Sequence, residues 1–254
     1  MIDLPILFED ESLVVVNKPP GIVVNRAESV QVPTVQEWAE EYLHIPAPPK
    51  RTTPALEQDP SVFFDRAGIV HRIDKETSGC LLIAKNPDVF LALQAQFKER
   101  TIKKTYLALA HGMITPEIGE IVAPVGRLPW NRERFGIVPG GKDSVTKYKC
   151  MQILEHKTGK NVEKISLVEL YPETGRTHQI RVHLKYINHP IIGDFQYAGR
   201  KTSRADRVWA PRVMLHAWKV DFLHPVSLKR LAIEAPIPDD MNGIVQTNNS
   251  ISSI

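Results

Sequence analysis

Alternation of apolar and polar positions marks the first elements of the chain. Residues 6–8 and 12–17 read as two strands around the polar turn Glu9–Glu11, and Lys18-Pro19-Pro20-Gly21 ends the second. Thr34 and Glu37 form a capping-box pattern, which predicts a short helix to about Leu43. Five prolines between residues 46 and 60 predict an exposed loop. Gly68–His71 and Cys80–Lys85 read as strands joined by the polar loop Arg72–Gly79. Asn86-Pro87 opens a helix whose Val89, Phe90, Leu93 and Phe97 share a face. Thr105–Ala110, Val145–Leu154 and Lys164–Tyr171 are strand-like, and Pro172–Gly175 is a turn. The segment after it places Ile180, Leu184 and Ile187 on one helical face, with Arg181 and Lys185 on another. Residues 212–222 and 230–234 read as closing strands. Residues 241–254, rich in Asn and Ser, are expected to be a disordered tail. Strands outnumber helices and several are joined by short turns. This predicts an α+β fold on a mixed, mostly antiparallel central sheet flanked by helices and loops, rather than a doubly wound parallel sheet.

Composition narrows the class. The 254 residues are 43% hydrophobic and 24% charged, which excludes disorder for the bulk of the chain. No apolar run approaches the roughly 18–20 residues of a membrane span. The opening MIDLPILFEDES carries acids where a signal peptide carries positive charge, so a cytoplasmic protein is expected. Cys80 and Cys150 alone make neither a disulfide scaffold nor a zinc site. The net charge of +3 is small, but it is unevenly spread. Residues 1–62 hold ten acids and four bases; the remainder holds 19 acids and 28 bases. Arg176–Lys219 carries nine bases, and its only acids are Asp194 and Asp206. A second basic cluster is Lys98, Arg100, Lys103 and Lys104. Such stretches attract a polyanion through counterion release, although a solvated face accounts for the same charges.

Three segments hold groups capable of chemistry. The first is the loop His71-Arg72-Ile73-Asp74-Lys75-Glu76-Thr77-Ser78-Gly79, between two apolar strands. A carboxylate beside Arg72 and Lys75 stays ionised, which suits a nucleophile better than a general acid. A charged turn satisfied by solvent is the alternative. The second, Gly175–His183, offers two guanidiniums, two imidazoles and a helix N-terminus, an anion-binding combination. Its alternatives are a capped surface helix and a pairing of Arg181 with a buried carboxylate. The third, Lys103-Lys104-Thr105-Tyr106, places a tyrosine at the start of a strand, where packing is the commoner role. HExxH, CxxC, GxSxG, P-loop and GxGxxG patterns are all missing from the sequence. The basic hairpin-like stretch 127–149, with Trp130, Arg132, Arg134 and Lys142, reads equally as an RNA grip and as a plain surface hairpin.

Taken in order, these segments resemble the RluA family of RNA pseudouridine synthases. Val70–Gly79 resembles its HRLDxxTSG signature, with Ile73 for the usual Leu. Leu7–Gly21 is similar to its N-terminal strands, Lys104-Thr105-Tyr106 to its K-x-Y motif and Gly175–Leu184 to its GRTHQIRVHL motif. His189–Asp194 resembles its HPIxGD turn and Met214–Ala217 its late LHA strand. The matches run in family order over about residues 4–236.

The resemblance implies a pseudouridine synthase catalytic domain over residues 1–240, with a catalytic cleft across the sheet; the expected absence of the S4 domain that many relatives carry in front is a departure from the family pattern. It implies isomerisation of specific uridines in structured RNA, tRNA or rRNA, without metal or other cofactor, by a monomer. Asp74 is then the nucleophile, with Arg181 pairing with it. Tyr106 lies against the base as stacking surface or proton acceptor. His71, Arg72, Lys104, Arg176 and His178 bind RNA. The target uridine is flipped out of its stack. Two other readings are a non-catalytic RNA-binding or RNA-chaperone protein on the same fold, and a retaining glycosidase or nucleosidase. The latter needs a second carboxylate about 5–5.5 Å from Asp74.

Overall fold

The computed structural model describes residues 2–28, 30–46, 59, 61–158 and 161–247. Most of the proline-rich segment predicted as a loop lies outside these residues. The chain divides into two compact units, Met1–Lys103 with Ala217–Pro236, and Lys104–His216 with Ile237–Ile254.

The first unit holds β1 (Ile6–Glu9), β2 (Leu13–Lys18), α1 (Val35–Tyr42), α2 (Val62–Asp65), β3 (Ser78–Ala84) and α3 (Pro87–Lys98). Its strands run β1-β2-β3-β10, where β10 is Leu215–Leu223, and β11 (Arg230–Glu234) pairs with β10. Asp10 closes the β1–β2 turn, its Oδ1 accepting from the backbone N–H of Ser12 (2.7 Å) and Leu13 (3.0 Å). The capping box at Thr34 forms as predicted, and Asn86 caps α3 by accepting from the Val89 N–H. Antiparallel pairing sets Val14, Val15 and Val16 opposite Ile83, Leu82 and Leu81, and every residue of β3 is buried. A strand covered on both faces explains why both runs are continuously apolar.

Gly79 shows how tightly this sheet is closed. Its φ is +113°, and a Cβ there would lie 2.2 Å from the carbonyl oxygen of Ala217. Gly79→Ala is therefore expected to lower stability by at least about 3 kcal/mol, through both overpacking and backbone strain. A urea melt giving the parent midpoint would contradict this.

Gly68–His71 is not the strand predicted. Only Ile69 makes an isolated antiparallel bridge, with Ile83. Two residues on, the imidazole of His71 accepts the Leu82 N–H (3.0 Å) that a neighbouring strand's carbonyl would otherwise take. A side chain replaces the ladder there, and the backbone is released to form the loop.

The second unit holds β4 (Lys103–His111, entering at Lys104), β5 (Ile118–Val122), β6 (Val125–Leu128), β7 (Asn131–Ile137), β8 (Val145–Thr158) and β9 (Asn161–Pro172). It also holds α4 (Gln179–Tyr186), α5 (Arg200–Asp206) and α6 (Asp239–Thr247). β4-β9-β8-β5 form an antiparallel sheet, and β6-β7 a separate hairpin. Pro190–Ile192 lies along β4: the His111 N–H donates to Pro190 O, and the Ile192 N–H to Leu109 O. The tail expected to be disordered from 241 is instead helical as far as Thr247. Met241 and Ile244 are buried, and Asp240 takes the Nε and Nη2 of Arg212 at 2.6 and 2.8 Å. An apolar pair three apart and an ion pair outweigh the segment's poor helix composition. Residues 248–254 lie outside the described ones.

Candidate active site

In the first unit, the loop after His71 is held almost entirely by backbone contacts. The ring of His71 lies against Phe97, centroids 4.8 Å apart, so this imidazole anchors the start of the loop. The Thr77 N–H donates to Asp74 O (3.1 Å), turning the chain through Lys75 and Glu76. The Lys75 carbonyl accepts from the Gly21 N–H (2.8 Å) and from Lys18 Nζ (3.1 Å). Lys18 is fully buried, and its ammonium also donates to Pro19 O (2.8 Å) and Ile22 O (3.0 Å). Carbonyl dipoles thus satisfy a buried cation one residue from Asp74. Sequence reasoning gave Lys18 no such role; its only signal was a lysine ending an apolar strand before Pro-Pro-Gly. From this frame Asp74 projects half-buried, with Arg72 and Lys75 exposed beside it.

In the second unit, Arg176, His178 and Arg181 stand at the start of α4, Lys104 comes near the turn before it, and Tyr106 lies on β4. Lys104 and Tyr106 point to the same side of β4, two residues apart. Lys104 Nζ comes within 3.8 Å of where a Cβ of Gly175 would stand. Gln179 organises the turn: its Oε1 accepts from the Thr174 hydroxyl (2.6 Å) and the Arg176 N–H (3.0 Å), and its Nε2 donates to Val145 O and Thr146 Oγ1, both at 3.0 Å. The Arg176 N–H is therefore taken internally. His183 is structural. Its Nε2 donates to Ala123 O and its Nδ1 accepts from Thr146 Oγ1, and burial pushes its pKa below the usual histidine value. Arg176 keeps a buried Nε with no hydrogen-bond partner.

Arg181 is the most constrained cation of this group. Its Nε and Nη2 donate to the two carboxylate oxygens of Asp194 at 2.7 and 2.9 Å, and Nη2 also donates to Gln196 Oε1. The guanidinium lies 5.0 Å from the ring centroid of Tyr197, and the Tyr197 hydroxyl bonds His178 Nδ1 (2.9 Å) and accepts the Phe135 N–H (3.3 Å). His178 adopts a left-handed backbone just before α4 (φ 57°) and packs edge-on to Phe135. Of the alternatives left open for Arg181, pairing with a buried carboxylate is realised, and the carboxylate is Asp194. Gln196 and Tyr197 were missed. Asp194 had a signal: with Asp206, it is one of two acids in a run of nine bases.

That run serves two purposes. Arg181 and Arg212 are buried, and Arg207 donates to Gly193 O and Pro211 O. Lys185, Arg200, Lys201 and Arg204 are exposed, as are Lys98, Arg100 and Lys103 in the other unit. These exposed bases are open to phosphate contacts. No helix among the described residues is long and apolar enough to cross a membrane.

The chain is similar to known proteins. The family model described as RNA pseudouridylate synthase matches residues 12–186. The chain is 41% identical over 249 residues to the ribosomal large subunit pseudouridine synthase D of Nitrosomonas europaea, covering 96% of this chain but only 65% of that protein. An RNA pseudouridine synthase of Bacillus subtilis is 35% identical, with 96% of this chain and 72% of that protein covered. The solved human RNA pseudouridylate synthase domain containing 1 superposes with a TM-score of 0.68 at 24% identity, over 99% of this chain and 97% of that one. The structural likeness carries the fold, and the sequence matches carry the kinship: the chain belongs to the RNA pseudouridylate synthase family, in the RluA branch that its motifs resemble.

Proposed function

We propose that the chain isomerises specific uridines in structured RNA to pseudouridine, in the cytoplasm and as a monomer. The observation that carries this reading is the family match over residues 12–186, which takes in Asp74, Tyr106 and Arg181 together. In the reaction the N1–C1′ bond of uridine breaks and a C5–C1′ bond forms. The hydrogen on C5 leaves to solvent and N1 gains a proton, so the product is an isomer. Asp74 is the nucleophile, and its carboxylate also suits stabilisation of a developing oxocarbenium-like centre. Tyr106 lies against the base, as stacking surface or as acceptor of the C5 proton. Arg181 supplies fixed positive charge to the reaction. Arg72, Lys104, Arg176 and the exposed bases contact RNA, while His71 and His178 hold the segments that present them. A flipped-out uridine costs a few kcal/mol in a stem and less in a loop.

The test is tritium release to water from unmodified transcripts carrying tritium at uridine C5, with tRNA and large-subunit rRNA compared. Release from one of them, with pseudouridine recovered in the chain, is the expected result. RNA binding without release would favour the non-catalytic reading, and free uracil the nucleosidase.

A further inference from the structure

His111, at the end of β4, lies between two carboxylates. Its Nδ1 bonds Glu163 from β9, and its Nε2 lies 3.1 Å from Asp206 of α5. The same Asp206 Oδ2 accepts the N–H of Gly193 at 2.9 Å. The next residue, Arg207, donates its Nε to the Gly193 carbonyl at 2.8 Å. Gly193 is thus clamped at both its polar groups. Its φ is +74°, and a Cβ there would meet Arg212 O at 2.1 Å. Asp194 follows immediately, fully buried, with its carboxylate forked onto Arg181.

We propose that Asp206, held by His111, is a positioning residue for Arg181: it fixes the Gly193–Asp194 turn whose carboxylate aims the guanidinium. The inference rests on the role given to Arg181 above. The motif turn His189–Asp194 is tied to β4 on one side, and Asp206 ties its glycine from the other. Gly193 has little freedom to move without moving Asp194. The charged and titratable groups around His111 are Glu163, Asp206, the neighbouring Arg207 and His189, whose Nδ1 donates to the His111 carbonyl (2.8 Å). Burial pulls the His111 pKa down, but hydrogen bonds to Asp206 and Glu163 more than offset this and raise it above the ordinary value of 6.5. The cation therefore persists to higher pH than in a free imidazole. Its contribution to stability is complete below the unfolded value and is lost as pH rises through the raised one. Above that point one carboxylate faces a bare ring nitrogen.

The experiment is single-turnover tritium release from the same transcripts, with enzyme saturating, from neutral to alkaline pH, beside RNA affinity by filter binding. Asp206→Asn and His111→Gln are expected to slow release by about tenfold to hundredfold with RNA affinity unchanged. His111→Gln should also lack an alkaline fall in rate that the parent shows. In an Arg181→Lys background Asp206→Asn should add little, because both act through one group. A merely structural role would multiply with Arg181→Lys and leave the pH profile alone, and that outcome overturns the proposal. Should Asp206→Asn fail to fold, His111→Gln, which keeps the Asp206–Gly193 bond, carries the same test. A parental rate in Asp206→Asn beside a slow Arg181→Lys overturns this inference alone. A parental rate in Arg181→Lys overturns the role of Arg181, and the inference with it.

Discussion

Asp74→Asn is expected to reduce tritium release at least about 10⁴-fold, the scale of removing a nucleophile, while RNA affinity and folding stability stay at the parental level. Backbone bonds hold the turn around Asp74. Its turn is closed by the Asp74 carbonyl and the Thr77 N–H, and the next carbonyl, of Lys75, is held by Gly21 and by the buried Lys18. An isosteric amide leaves all of these bonds in place. What it removes is the negative charge and the nucleophilic oxygen. The carboxylate is half-buried, so the substitution exposes no cavity. Release at the parental rate would sink the assignment of Asp74. Loss of RNA affinity in a folded Asp74→Asn protein would make Asp74 a binding group instead. The measurement is a release assay and a filter-binding titration on one preparation, with its urea melt as the control for folding.

The parts that could be read from sequence are those set by local pattern. The capping box at Thr34, the Asn86 cap and the face of α3 all depend on neighbours within four residues, and they form as read. β8 and β9 are legible as two strand-like runs, Val145–Leu154 and Lys164–Tyr171, and both strands extend beyond them toward each other. Strand Gly68–His71 and the tail were misread because a distant group decides each one: the Leu82 N–H accepted by His71, and Arg212 paired with Asp240. β5, β6 and β7 were not called as strands because Pro124, Pro129 and three glycines interrupt their pattern. At the site, the motifs marked the proposed catalytic groups, but not the residues that hold them. Lys18 and Gln179 look ordinary in sequence because each also bonds a group far along the chain, Lys75 O for one and Val145 O and Thr146 Oγ1 for the other. Asp194 and Asp206 are different. An acid kept inside a strongly basic run is a candidate for internal pairing, and both are buried against cations.

Asp194→Asn is the companion to Asp74→Asn and is expected to behave in the opposite way, losing stability as well as rate. Asp194 is fully buried, and it accepts four N–H groups: Nε and Nη2 of Arg181 and the backbone N–H of Gln196 (3.0 Å) and Tyr197 (3.2 Å). An asparagine oxygen still serves the two backbone groups. Its NH₂, however, faces the guanidinium donor to donor, and a buried cation loses the charge of Asp194. Breaking a buried pair from one side costs about 3–5 kcal/mol, and the urea midpoint should fall accordingly. The guanidinium is then free to leave its geometry over Tyr197, and a displacement of about 1 Å at a reacting centre is worth about 10²-fold in rate. Exposed Lys185, Arg200, Lys201 and Arg204 are untouched, so RNA affinity in the fraction that stays folded should hold. A stable Asp194→Asn protein with the parental rate would mean that Arg181 needs no orienting carboxylate. A destabilised protein whose folded fraction turns over normally would confine the pair to folding. Only a loss of both, beside an Asp74→Asn protein that loses rate alone, is consistent with one carboxylate reacting and the other aiming the charge that serves it.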